Sequence, residues 1–68
     1  MGLAATLGKN VRKARKARGI SQEALADAVG LAVTYVGQIE RGARNPTLKV
    51  VEDFARTLGV KPLDLLSS

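Results

Sequence analysis

Lys9, Arg12, Lys13, Arg15, Lys16 and Arg18 place six cationic side chains within ten residues. With Arg41, Arg44, Lys49, Arg56 and Lys61 they outnumber the six carboxylates, for a formal charge of +5 on 68 residues. Such a balance serves electrostatic capture of a polyanion. Bond-making chemistry is a poor fit. The chain has neither Cys nor His, its carboxylates are scattered rather than paired, and a Ser or Lys nucleophile would need an activating partner in a dry cleft that the sequence does not offer. The same two absences remove disulfides and zinc sites, so no metal or cofactor is expected. The reading is a binding protein and not an enzyme.

The elements that must carry these charges are helices. From about Leu3 to Arg18 the apolar residues Leu7, Val11 and Ala14 recur at i, i+4 and i+7, so they form one stripe while Lys9, Lys13 and Lys16 point elsewhere. Gly19 ends the segment. Arg15 lies on the margin of the apolar stripe, where a guanidinium needs a carboxylate partner. Ser21 is an N-cap, and the stretch Gln22 to Glu40 reads as two short helices joined at Gly30. Leu25, Ala26 and Val29 line the inner face of the first, and Val36 and Ile39 that of the second. Small Ala26 suits a steep crossing of the two, and Gly30 suits a turn that needs positive φ.

The second of these helices is expected from about Ala32 to Arg41 and stops at Gly42. A loop, Ala43 to Pro46, leads to a fourth helix capped by Thr47, with Leu48, Val51, Phe54, Ala55 and Leu58 turned inward and Gly59 at its end. Pro62 then opens a short fifth helix, Pro62 to Leu66. The expected fold is all-α, five helices in a single domain over residues 1–68. At this size, stability must come from close helix packing and from self-association. No apolar run approaches the ~20 residues a membrane span requires, and the charges near the start follow a weakly apolar stretch, the reverse of a secretory signal. A cytoplasmic location is expected. Met1-Gly2 with Thr6 fits an N-myristoylation pattern beside a basic segment, but the helical apolar spacing of that segment commits it to a core.

The run ISQEALADAVGLAVTYVGQIERGARNPTL, Ile20 to Leu48, resembles the helix-turn-helix family of phage repressors, Cro proteins and their bacterial relatives, often called the xenobiotic-response-element type. With the basic helix before it and Leu58 to Val60 after it, the likeness covers nearly the whole chain, and the segment TYVGQIERGARNPT looks most like restriction-modification controller proteins. The resemblance implies a lambda-repressor-like domain with its helix-turn-helix at residues 21–41, a homodimer, and sequence-specific double-stranded DNA as partner, with no membrane and no small-molecule ligand. It implies that the third helix enters the major groove with Val33, Thr34, Gly37 and Gln38 toward the bases. It further implies that Gln22, Tyr35, Arg41, Arg44 and Asn45 meet the DNA backbone, and that Arg15 pairs with Glu40. Val50, Phe54, Leu65 and Leu66 would join the two copies. Gln38 has the amide for a bidentate contact to adenine, and Val33 and the Thr34 methyl suit thymine methyl groups.

The sequence departs from the family in its base-facing set. Relatives often carry Ser or Thr where Ala32 stands and a long polar residue at the place of Val33. A short, weakly polar set offers little for a rich direct readout of the bases, and if Gln38→Ala leaves base preference untouched, recognition of DNA shape carries more of the specificity. The alternative reading is an interaction module or antitoxin of the same fold that presents its basic face to a protein.

Overall fold

A computed structural model describes residues 2–67, so Met1 of the myristoylation pattern lies outside the described residues. The chain forms five helices: α1 (Leu3–Ala17), α2 (Gln22–Val29), α3 (Val33–Glu40), α4 (Leu48–Leu58) and α5 (Pro62–Leu66). There is no strand among the described residues. Among them, no helix is long and apolar enough to cross a membrane.

The helix boundaries follow from capping chemistry. The Ser21 hydroxyl accepts from the Ala24 amide at 3.0 Å, and the Thr47 hydroxyl accepts from the Val50 amide at 3.3 Å, so each supplies a partner for an otherwise free first-turn N–H. Helix α5 is closed at its start by the Asp64 carboxylate, which accepts from the Lys61 amide at 3.0 Å. Helix α3 begins at Val33, one residue later than expected. Ala32 holds an extended backbone (φ −68°, ψ 142°) and has no side-chain oxygen to cap with. Between α2 and α3, Gly30 sits at φ 71°, and the Leu31 amide closes back on the Ala26 carbonyl at 2.9 Å. That tight reversal is what lets the two helices cross, and only glycine adopts it without strain.

Leu7, Val11, Leu25, Ala26, Val36, Ile39, Val51, Phe54, Ala55, Leu58 and Leu65 form one buried cluster to which every helix contributes. Helix α1 packs on α3, α5 and α4, and α2 packs on α3 and α4. The α1–α3 contact is unusually close because Gly8 faces α3. A methyl placed there would overlap the Ile39 carbonyl oxygen and lie 2.8 Å from the Glu40 carbonyl oxygen.

Two polar ties join distant parts of the chain. The Asn10 amide donates to the carbonyls of Leu65 and Ser67 at 3.0 and 2.7 Å, with a longer contact to Asp64 at 3.4 Å. It thereby caps the C-terminal end of α5 and holds that helix against α1. Arg18, at the end of α1, donates to the Leu58 carbonyl at 3.3 Å and does the same for α4.

Candidate nucleic-acid interface

The frame of the site is a buried ion pair. Arg15 Nε donates to Glu40 Oε2 at 2.7 Å and its Nη2 to Oε1 at 3.1 Å, while Nη1 donates to the Ile20 carbonyl at 2.9 Å. The two side chains are 10% and 2% exposed. Gln22 Nε2 donates to the same Glu40 Oε1 at 3.0 Å, so a single carboxylate ties α1, the first turn of α2 and the last residue of α3 together.

Burial alone would push the Glu40 carboxyl up. The hydrogen bonds from Arg15 and Gln22, with the charges of Arg15 and Arg12, outweigh it and hold that carboxyl below its ordinary value. The hydrogen bond to Glu40 in turn holds the Arg15 guanidinium in its charged form. No buried side-chain polar atom among the described residues lacks a partner.

At 100° per residue, Val33, Thr34, Gly37, Gln38 and Arg41 fall on one outward face of the α3 turn and its extension, opposite Val36 and Ile39. Val33 is 40% exposed, and Ala32 and Thr34 are exposed as well. Gly37, by contrast, is covered: a Cβ built on it would lie 3.4 Å from Arg41 Nη1 and 3.8–3.9 Å from the Gln22 amide atoms. Gln22 and Arg41 both reach over this position, each at ordinary contact distance from where a Cβ would sit.

A second grouping gathers Tyr35, Gln38 and Arg44. Arg44 Nε donates to Gln38 Oε1 at 2.9 Å, and the Arg44 guanidinium carbon sits 5.6 Å from the centroid of the half-buried Tyr35 ring, within cation–π range. Asn45 stands apart from both groupings. It lines a small apolar groove with Leu3, Leu7, Pro46, Leu48 and Leu66.

The set expected to join two copies divides in two. Phe54 and Leu65 are 0% and 1% exposed and belong to the core, so as surface contacts they are corrected. Their helical phase points them at α1 and α2, and the short α5 has only one inward position to fill. Val50 and Leu66 remain half-buried at the surface, and Leu63 and Leu48 are exposed by 72% and 75%. Sequence reasoning also missed Gly8, Asn10 and the contribution of Arg12 to the Glu40 site. A glycine inside an otherwise strong helix was the one available signal for the first.

Five helices with a tightly turned pair locked by a buried ion pair, and arginines crossing the outer face of the second, form the architecture of a DNA-binding regulator. The helix-turn-helix family model matches residues 11–65, and the chain belongs to that family of DNA-binding transcriptional regulators, which are not enzymes. It is 45% identical over 60 residues to the control protein C.BamHI of Bacillus amyloliquefaciens, covering 87% of this chain and 74% of that one. The crystal structure of the restriction-modification controller protein C.AhdI from Aeromonas hydrophila superposes with a TM-score of 0.86 at 40% identity, covering 91% of this chain and 94% of that one. The controller protein C.Esp1396I, solved as a tetramer in complex with its natural 35 base-pair operator, superposes with a TM-score of 0.83 at 32% identity, covering 96% and 86%.

Proposed function

We propose that the chain acts as a single helix-turn-helix domain spanning residues 1–68, which dimerises and binds a palindromic operator as a transcriptional regulator of the controller type. Helix α3 of each copy enters one of two successive major grooves, about 34 Å apart, so half-sites lie about one helical turn apart. Val33, Thr34 and Gln38 face base edges. Gln22, Arg41, Arg44, Tyr35 and Asn45 meet the backbone, where the arginine fork matches phosphate oxygens and the start of α2 offers free amides. Regulation follows from occupancy alone, with no small-molecule ligand, and the protein works in the cytoplasm on the nucleoid.

The observation that carries this reading is the outer face of α3, where Gln22 and Arg41 lie together over Gly37 and Arg44 is held against Gln38 and Tyr35. Selection from a random pool of duplex DNA at physiological salt tests it. A two-fold symmetric motif with half-sites one turn apart is the expected result, and binding without a motif sinks it. On the selected site, Arg44→Ala is expected to weaken binding and reduce the slope of log affinity against log salt by about 0.9, one phosphate contact.

Self-association rests on the apolar residues around α5 that the chain's own core does not cover. Leu63→Glu leaves that core untouched because Leu63 is 72% exposed. Sedimentation is expected to find the wild type dimeric at micromolar concentration and this variant monomeric with unchanged helicity. A dimeric variant would move the interface elsewhere.

A further inference from the structure

The hydrogen bond between Arg44 and Gln38 has a chemical direction. A glutamine side chain offers a carbonyl acceptor and an amide donor side by side, and bidentate pairing with adenine uses both, accepting from N6 and donating to N7. Here Oε1 of Gln38 already accepts from Arg44 Nε at 2.9 Å. The amide is thereby fixed with its oxygen end toward Arg44 and its NH2 group, a donor, on the side away from it.

Arg44 is held in place from a second side by the Tyr35 ring, and its terminal Nη groups are donors too. The outward chemistry of the pair is therefore weighted to donors: the Gln38 NH2 and the Arg44 Nη groups stand against the one remaining lone pair of Gln38 Oε1. In the major groove guanine presents two acceptors, N7 and O6, on one edge, whereas adenine and cytosine each place an amino donor there and thymine offers a single acceptor beside its methyl group.

We propose that Gln38 and Arg44 act as one unit that selects guanine. Gln38 donates to the base edge, and Arg44 is the positioning residue that fixes which end of the Gln38 amide faces the DNA. This rests on α3 lying in the major groove. It replaces the adenine contact that a free glutamine would make, and it gives Arg44 an effect on sequence preference in addition to its charge.

The test is selection from random duplex DNA with the full chain as wild type, Gln38→Ala, Gln38→Glu, Arg44→Ala, Val33→Ala and Thr34→Ala, each motif refined by titrating single-base variants of the site. The wild type is expected to prefer guanine over adenine at one position per half-site by roughly ten- to a hundredfold. Gln38→Ala is expected to lose that preference, and Gln38→Glu, which keeps the acceptor and loses the donor, to lose or invert it. Arg44→Ala frees the amide to turn over, so adenine is then expected at that position about as often as guanine.

A wild-type preference for adenine there overturns the proposal, as does an unchanged guanine preference in Arg44→Ala. If no position depends on Gln38 while Val33→Ala or Thr34→Ala relaxes its own, the proposal fails and the placement of α3 stands. If none of the α3 variants relaxes any position, both fail together.

Discussion

Gly8→Ala is expected to destabilise the fold by about 3 kcal/mol, a large share of the stability a chain of this size can hold. The direction of the change makes it informative. Alanine is the better helix former by about 1 kcal/mol, so an account from local propensity alone has the variant more stable than the wild type. The tertiary contact says the reverse. The new methyl would overlap the Ile39 carbonyl oxygen and crowd that of Glu40, and both are backbone atoms that cannot swing aside. Relief requires α1 and α3 to part, which opens the core around Val11, Val36 and Ile39, all 0% exposed. Urea denaturation followed by circular dichroism checks it: the midpoint should fall sharply, and a rise would mean that the helices can separate at little cost.

Glu40→Gln should be comparably severe, at about 3–5 kcal/mol, because it leaves the Arg15 guanidinium buried without its counter-charge. The loss measures an orphaned charge and not the worth of the intact pair. Replacing both partners with apolar residues, Arg15→Met with Glu40→Leu, is expected to cost far less than Glu40→Gln alone. Equal losses in the single and double variants would overturn that view of the pair.

Acid provides an independent reading of the same carboxylate. Its folded-state value lies below the ordinary 4.5, so the unfolded chain binds the proton more tightly. The stability this confers is fully present above about pH 5 and drains away as pH falls through the folded value. Asp53, held down by hydrogen bonds from Arg56 and Lys49, adds an acid dependence of the same sign. The Glu40 share is therefore the difference between the acid limbs of the wild type and the Arg15→Met, Glu40→Leu double variant, which lacks the carboxylate and keeps most of the stability, and identical limbs would remove it.

The helices and their ends were legible because capping residues act within a few positions of themselves. Ser21, Gly30, Thr47 and Pro62 mark boundaries through local backbone chemistry, and the apolar spacing of Leu7, Val11, Leu25, Val36 and Ile39 reports the buried face directly. The Arg15–Glu40 bond was legible only through the family likeness, although the cost of burying Arg15 announced that some carboxylate was needed. What stayed hidden depends on where remote segments meet. Nothing near Gly8 says that a carbonyl from residue 39 will lie against it, and nothing near Asn10 says that its amide will cap a helix more than fifty positions away. The family likeness gives Phe54 and Leu65 to a partner, and α5 holds more leucines than one turn can bury. Choosing among them required the angle at which that turn lands on α1, which separates inward Leu65 from outward Leu63. The bond between Gln38 and Arg44 is hidden in the sequence because Arg44 reaches Gln38 around the bend at Gly42.

The Asn10 tie also sets the order in which the molecule can be completed. Its acceptors lie 54 to 57 positions further along the chain, and Leu65, from the same turn, is one of the stoppers of the core. During synthesis α1 therefore emerges with its apolar stripe bare and must wait for α5 before its last acceptors arrive. Most helical chains of this size acquire their contacts locally and early. This one keeps the α1–α5 contacts for last, so a chain cut before Pro62 would present a basic four-helix fragment with the seat of Leu65 open, and full resistance to proteases comes only once α5 docks.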